Sequence, residues 1–487
     1  MPSLQMTIDG KSVDGRDVPL DIINPADEAC IAQVPHASAS QAAEAVEAAR
    51  RAFDSGPWRR MQPSERGKLL YKLADLIELN ADELALLDTQ DMGKPYVHAR
   101  QHDLATAVEF TRFYAGFADK IRGSQVPVGP DKHVYLVREP VGVVVGIVPW
   151  NFPLVVAIQK LAPALACGNT FVLKPAEQSP RSALRLGDLC LEAGFPPGVV
   201  NVVSGRGETT GAALVADARV DKISFTGSTA VGKIIMRAAA EQIKKVTLEL
   251  GGKTANIIFD DADLEAALAS TILTSFYNSG QICTAGSRLL LSRNLRDSFL
   301  KAFKERLNQL VVGDPLQSET KLGPLVSRDQ FEQVNRYLEM GKCEFDSIEC
   351  GRRQEGLSKG FYVNPTLLTG VPSNSRIAQE EIFGPVLSVI EFDDEQQALE
   401  IADSTSYGLA TALWTRDLSR AHRLAAQFDS GFVWINCNNY WVASIPYEGH
   451  RQSGLGADMG MEVVESYTKL KSVIVNLDNQ PHPWASS

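Results

Sequence analysis

The stretch Val141-Gly-Val-Val-Val-Gly-Ile-Val-Pro-Trp-Asn-Phe-Pro153 decides the fold: a valine-rich apolar run ends at a proline and opens onto a polar turn. A short β-branched run bounded by turn residues reads as a strand. Five similar runs follow: Thr170–Lys174, Val199–Val203, Lys222–Thr226, Lys245–Leu250 and Thr254–Phe259. Longer helical segments separate most of them, an alternation that predicts a parallel sheet with crossover helices. Upstream, Ala42, Ala43, Val46, Ala49 and Phe53 form one amphipathic stripe and Leu69, Leu70, Leu73, Leu76 and Ile77 another, so two helices are expected, with Ser40 and Ser64 as caps. Downstream, Leu264 to about Tyr447 reads as a second α/β unit, with strands at Arg288–Ser292, Val386–Phe392 and Gly431–Asn436. The segment Tyr467–Leu477 alternates as a terminal strand, which needs a partner sheet.

Composition narrows the classes. The chain has 487 residues, 44% hydrophobic and 22% charged, the balance of a globular protein large enough for two or three substructures. A net charge of -11 argues against a nucleic-acid partner, because that affinity rests on basic residues neutralising phosphates. The longest apolar run stops at Pro149, well short of the ~20 residues a membrane helix needs. The first residues show no basic region followed by an apolar run, so cytoplasmic residence is expected. Seven cysteines without a CxxC pair or histidine at ligand spacing fit a reduced compartment and predict no metal site.

Two nucleotide signatures fail on inspection. Gly227-Ser-Thr-Ala-Val-Gly232-Lys233 approaches a phosphate-binding loop, but Ile234 stands where a magnesium-holding hydroxyl belongs. Gly205, Gly207 and Gly211 miss the dinucleotide spacing by one residue. Phe225-Thr-Gly-Ser228 still follows a strand and opens a helix, whose N–H groups attract anions. Three further segments carry chemistry-bearing residues, each with a plain structural alternative. Asn278-Ser-Gly-Gln-Ile-Cys283-Thr-Ala-Gly-Ser-Arg288 sets one cysteine in a small, polar stretch, as a nucleophile or an inert core thiol. Leu248-Glu-Leu-Gly-Gly-Lys253 sets Glu249 between apolar neighbours, as a base with a raised pKa or a helix cap. Asn151 offers a neutral amide, for an oxyanion or for a turn.

Taken in order, the motifs Asn24-Pro-Ala26, Pro149-Trp-Asn-Phe-Pro153, Lys174-Pro-Ala-Glu177, Phe225-Thr-Gly-Ser228, Leu248-Glu-Leu-Gly-Gly-Lys253, Gly280-Gln-Ile-Cys283, Glu380-Glu-Ile-Phe-Gly-Pro385 and Ser453-Gly-Leu-Gly456 resemble the aldehyde dehydrogenase superfamily over nearly the whole chain. The resemblance implies an α/β fold with a Rossmann-type NAD-binding domain (1–121 and 141–251), a catalytic domain (252–447) and a small β oligomerisation element (122–140 and 467–487). It implies an NAD-dependent oxidation of an aldehyde to the acid by a homodimer or homotetramer. Cys283 looks like the nucleophile, passing through a thiohemiacetal and a thioester, and Asn151 with the Cys283 backbone N–H like the oxyanion donors. Glu249 looks like the base that activates the hydrolytic water, a residue that coenzyme-A-acylating relatives lack.

On the cofactor side the resemblance points to Ile147, Trp150, Lys174, Glu177, Gly207, Phe225, Gly227, Ser228, Val231, Leu250, Glu381 and Phe383. Lys174 and Glu177 resemble the pair on the adenosine ribose, where a carboxylate repels a 2′-phosphate and favours NAD over NADP. The substrate tunnel is expected from Phe152, Val155, Val156, Gln159, Tyr277, Ile282 and Thr284 together with the loop Cys437–Tyr447, which holds Tyr440, Trp441 and Tyr447. Its apolar and aromatic character suits an uncharged aliphatic or aromatic aldehyde. Semialdehyde enzymes of the family carry an arginine where Gln159 precedes Lys160, which removes one anchor for a carboxylated substrate; a semialdehyde or aminoaldehyde is the alternative. Acyl transfer to coenzyme A, ester hydrolysis and a non-enzymatic binding role are the rivals, the last weakened by the presence of Cys283, Glu249 and Asn151. The chain departs from the family pattern at Pro446-Tyr-Glu-Gly449, where Pro-Phe-Gly-Gly is usual; Glu448 there either favours a cationic or hydroxylated substrate or alters a surface turn.

Overall fold

The computed structural model describes residues 4–478 and 484. The valine-rich run forms the strand Val143–Ile147, with its first four residues fully buried. It lies inside an eight-stranded sheet in the order Lys11–Val13, Met6–Ile8, Val200–Val202, Thr170–Lys174, Val143–Ile147, Lys222–Thr226, Lys245–Glu249, Gly454–Leu455. The five central strands run parallel, and the antiparallel pairs sit at the edges. Chain order runs outward from Val143–Ile147 through Thr170–Lys174 to Val200–Val202, then resumes on the other side with Lys222–Thr226. That reversal is the switch point where ligands of open α/β sheets bind, beyond the carboxyl ends of the strands.

The crossover helices follow from local chemistry. Pro153 opens Pro153–Ala166, buried along its whole length. Arg181–Ala193 ends at Gly194, whose φ of 96° is a left-handed conformation that glycine adopts without strain. Ser228 caps Thr229–Ala240 by accepting from the Val231 N–H at 3.3 Å.

The two expected N-terminal helices are Ala39–Asp54 and Pro63–Leu79, with the expected stripes facing the core, but both caps lie two residues earlier than expected. Ser38, not Ser40, closes a capping box with Gln41, and Gln62, not Ser64, does so with Glu65. The serines at 40 and 64 fall just inside the first turn, where the backbone is already helical.

The sixth run departs from what the strand alternation alone implies, although the resemblance already sets 252–447 apart. Ala255–Ile258 does not extend the first sheet; it sits in a seven-stranded second sheet ordered Asp346–Glu349, Thr366–Thr369, Val386–Phe392, Arg288–Ser292, Ala255–Ile258, Ala410–Trp414, Phe432–Ile435. Leu250, Gly251 and Gly252 carry the chain out of one sheet and toward the other. All pairings in the second sheet are parallel except that of Asp346–Glu349.

The terminal strand Thr468–Asn476 finds its partner in the same chain, pairing antiparallel with Lys132–Pro140 from Thr468 opposite Pro140 to Asn476 opposite Lys132. Ser124–Val126 completes a three-stranded sheet. Leu470, Ile474 and Leu477 on or beside it are more than half exposed. No described helix is long and apolar enough to cross a membrane, and the described residues hold no cluster of three metal-ligating side chains.

Candidate active site

A cavity of about 590 Å³ opens at the switch point and runs between the two sheets. Asn151, Glu249 and Cys283 all line it, although each comes from a different segment. Asn151 follows the Val143–Ile147 strand, Glu249 is the last residue of Lys245–Glu249, and Cys283 lies between the helix Leu264–Phe276 and the strand Arg288–Ser292.

The approach to Cys283 is sharply bent. Asn278 and Ser279 have φ of 52° and 56° and Gly280 has 73°, three successive left-handed residues. Two non-glycine residues in this region are costly and persist only where the surroundings fix them. Here Ser279 Oγ donates to the Gly323 carbonyl at 2.7 Å, and Asn278 Nδ2 donates to the Asn151 and Gln281 carbonyls, each at 3.2 Å. Asn151 is not satisfying its own turn: its Nδ2 donates to the Gln281 carbonyl at 3.0 Å, tying the first sheet's switch point to the cysteine segment. An amide has two N–H donors, so one remains available on this side chain.

Glu249 does not cap a helix. Its side chain is buried, and neither carboxylate oxygen has a hydrogen-bond partner. Burial, and next the charge of Asp458, hold its pKa well above the ordinary value, with Lys160 acting in the opposite direction. Lys160 is fully buried and donates to Asp458 Oδ2 at 2.5 Å and to Ser224 Oγ at 3.1 Å. Burial pushes the Cys283 thiol up to about 12. A thiol and a carboxyl group, each made harder to ionise by burial, therefore line the same cavity.

The expected cofactor residues divide into two groups. Trp150, Gly227, Ser228, Leu250, Glu381 and Phe383 line the cavity itself. Trp150 meets Phe383 edge to face at 5.3 Å, and Glu381 Oε1 accepts from the Gly252 N–H at 3.0 Å. Ile147, Lys174, Glu177, Gly207, Phe225 and Val231 lie outside the cavity wall. Most of these gather along the carboxyl edge of the first sheet, where Ile147 stands opposite both Lys174 and Phe225. Glu177 accepts from the Gly207 N–H at 3.3 Å. Burial pushes the Lys174 ammonium down to about 8, and its Nζ donates to the Pro175 carbonyl at 2.9 Å. Val231 stands in the first turn of the Thr229–Ala240 helix.

All the expected tunnel residues, Phe152, Val155, Val156, Gln159, Tyr277, Ile282, Thr284, Trp441 and Tyr447, line the cavity. Tyr440 does not; it is exposed. Glu448 is exposed as well and is absent from the wall, so the departure at that position alters the surface, not the tunnel lining. The structure adds His102, Asp103, Thr106, Leu273, Gln330, Gln333 and Asn439. The buried Asp103 carboxylate is ion-paired with buried Lys94, whose ammonium sits 3.5 Å from the Phe152 ring centroid. Gln330 Nε2 donates to the Ile382 and Phe383 carbonyls at 3.2 and 2.8 Å, fixing the loop that carries Glu381. No local signal marks these residues, because they arrive from distant helices. Asn439 alone falls within a loop the sequence singles out.

The aldehyde dehydrogenase family model matches residues 12–473. An aldehyde dehydrogenase of Emericella nidulans is 46% identical over 464 residues, covering 95% of this chain and 92% of that protein. Among solved structures, an aldehyde dehydrogenase from Bacillus cereus in complex with NAD+ superposes with a TM-score of 0.95 at 45% identity, covering 98% of this chain and 97% of that one. A betaine aldehyde dehydrogenase from Staphylococcus aureus with NAD+ superposes with a TM-score of 0.96 at 37% identity, covering 100% of this chain and 97% of that one.

Proposed function

The chain belongs to the aldehyde dehydrogenase family, and we propose that it oxidises an aldehyde to the carboxylic acid with NAD through a thioester on Cys283. The observation that carries this reading is the meeting of a thiol, an amide and an unpaired carboxylate in one cavity at the carboxyl end of a parallel sheet. NAD, the cofactor bound in the two solved relatives, supplies the electron acceptor for the oxidation. The residues fit it. The capped helix start at Gly227 and Ser228 presents N–H groups to a pyrophosphate. Lys174 and Glu177 stand at the sheet edge to hold the adenosine ribose, with Gly207 beside them and Ile147, Phe225, Val231 and Leu250 around the adenine and phosphate side. Trp150, Glu381 and Phe383 hold the nicotinamide end.

Cys283 Sγ attacks the aldehyde carbon, and the oxygen that gains charge is met by the free Asn151 N–H and the Cys283 backbone N–H. Glu249 takes the proton from the water that releases the acid. Its burial raises its affinity for that proton, which a base working near neutrality requires.

The substrate is an uncharged aliphatic or aromatic aldehyde. Phe152, Val155, Tyr277, Ile282 and Trp441 supply apolar walls, and Gln159, Thr284 and Asn439 supply neutral polar groups. Besides Glu249 and Glu381, assigned here to hydrolysis and the nicotinamide end, the acid lining the cavity is Asp103, which Lys94 neutralises, so it is no anchor for a cation. An aminoaldehyde is the second reading, favoured by the aromatic rings and by the likeness to a relative named for betaine aldehyde. We also propose the division into 1–121 with 141–251 as the cofactor domain, 252–447 as the catalytic domain, and 122–140 with 467–487 as an oligomerisation element. Of that element, 479–483 and 485–487 lie outside the described residues. The exposed apolar side chains of its sheet support a homodimer or homotetramer, and the reduced cysteines support residence in the cytoplasm.

The test is NADH formation over a panel of aliphatic, aromatic, amino and carboxylated aldehydes, with Cys283→Ala as control. Highest kcat/KM for uncharged members is expected; turnover by Cys283→Ala would refute the nucleophile.

A further inference from the structure

At the departure from the family pattern, Tyr447 places a hydroxyl on the reacting sulfur: its Oη lies 3.2 Å from Cys283 Sγ. The ring is held firmly. It packs edge to face on Phe432 with centroids 4.9 Å apart and meets Trp441 at 6.4 Å. Its backbone pairs with Asp458 in the short antiparallel ladder Tyr447–Glu448 with Ala457–Asp458.

The charged groups that face Cys283 are both acidic. Glu249 and Glu381 each disfavour the thiolate, and burial disfavours it more. Opposing them are two hydrogen-bond donors, the Tyr447 hydroxyl and the Thr284 backbone N–H. The Thr284 hydroxyl donates to Asn439 Oδ1 at 2.8 Å and also lies within hydrogen-bonding reach of the Tyr447 phenol oxygen. A thiolate forming between two carboxylates is stabilised here by oriented dipoles, and the phenol is the side chain that supplies one.

We propose that Tyr447 is a catalytic residue whose phenol O–H donates to the Cys283 thiolate, stabilising the nucleophile and aiming it at the aldehyde carbon. The thiol proton leaves to solvent water in the cavity, so Glu249 stays free for the later hydrolysis, while the phenol keeps its own proton. Burial and the neighbouring sulfur raise the phenol well above its ordinary pKa, so it remains a donor across the working range. When the S–C bond forms, the sulfur loses its charge and the bond to the phenol weakens. The hydrogen bond therefore acts on the approach to attack and leaves the later hydrolysis to Glu249. This inference rests on Cys283 being the nucleophile.

The experiment compares the full-length parent with Tyr447→Phe, which keeps the ring packing on Phe432 and removes only the hydroxyl. Alkylation of Cys283 by iodoacetamide is followed by peptide mass across the pH range in which the protein stays folded, with Cys283→Ala as blank, and its pH profile reads the thiol's titration. Thermal melting and NAD binding report whether the variant is folded. Loss of a hydrogen bond to a charged group is expected to move the titration upward by about one pH unit and slow alkylation near neutrality by about tenfold. A merely structural role would change melting or KM and leave the titration in place. Coincident profiles for parent and Tyr447→Phe would overturn the proposal. Unchanged turnover in Cys283→Ala would instead overturn the nucleophile assignment beneath it.

Discussion

Replacing Asn151 by alanine tests the oxyanion site with a magnitude set by the structure. Asn151 is 6% exposed, and one of its two amide hydrogens is already committed to the Gln281 carbonyl. Only the second is free for substrate oxygen, so the variant removes a single donor from a buried site. Removal of one such donor costs about 2.7–4 kcal/mol of transition-state stabilisation, or roughly 10²–10³ in kcat. The same change removes one of two donors from the buried Gln281 carbonyl, which keeps Asn278 Nδ2 at 3.2 Å, so the stability cost is that of a single hydrogen bond, about 0.5–1.5 kcal/mol. These effects separate experimentally. Steady-state NADH formation at saturating NAD gives kcat and KM, and thermal melting gives the stability cost. A fall in kcat with KM little changed is expected, because the bond to oxygen strengthens only as charge develops. If kcat stays within about threefold of the parent in a folded variant, the oxyanion assignment is wrong.

Glu249→Gln should permit acylation and slow hydrolysis, visible as a burst of NADH followed by a slow steady state. The acid limb of hydrolysis in the parent should lie above the ordinary carboxylate range. Because the native state binds that proton more tightly than the unfolded chain, stability falls as pH rises between the two pKa values, so Glu249→Gln should melt higher than the parent at neutral pH. Lys160→Met strands a fully buried Asp458 carboxylate and should cost about 3–5 kcal/mol by urea denaturation; an unchanged midpoint would count against a charged pair. Glu177→Ser should raise the NADP/NAD ratio of kcat/KM, and an unchanged ratio would remove the charge argument for NAD.

The strands at the heart of the fold were legible because their β-branched runs are short, strongly apolar and stopped by glycine or proline. Which sheet each strand joins was not legible in the apolar pattern, and only the resemblance drew a boundary at 251/252. Ala255–Ile258 looks like its predecessors, and only the Gly251-Gly252 exit separates it from them. The caps slipped by two residues because several hydroxyl and amide side chains crowd each helix start, and backbone geometry selects among them. The site was legible where motif residues sit next to strand ends, as with Asn151 and Glu249. It was illegible where helices deliver single side chains from afar, as with His102, Asp103, Gln330 and Gln333. The same holds for the buried Lys160 and Asp458 pair, whose members stand 298 positions apart. On the proposed reading the cofactor side is built from strand ends and one capped helix, which needs no glycine fingerprint.

The covalent step can be weighed directly. Glu249→Gln protein mixed with NAD and an aromatic aldehyde, quenched in acid and digested, should carry the acyl mass on the peptide containing Cys283 and on no other cysteine peptide. An unmodified Cys283 after an NADH burst, or an acyl group on Cys437 instead, would contradict the account.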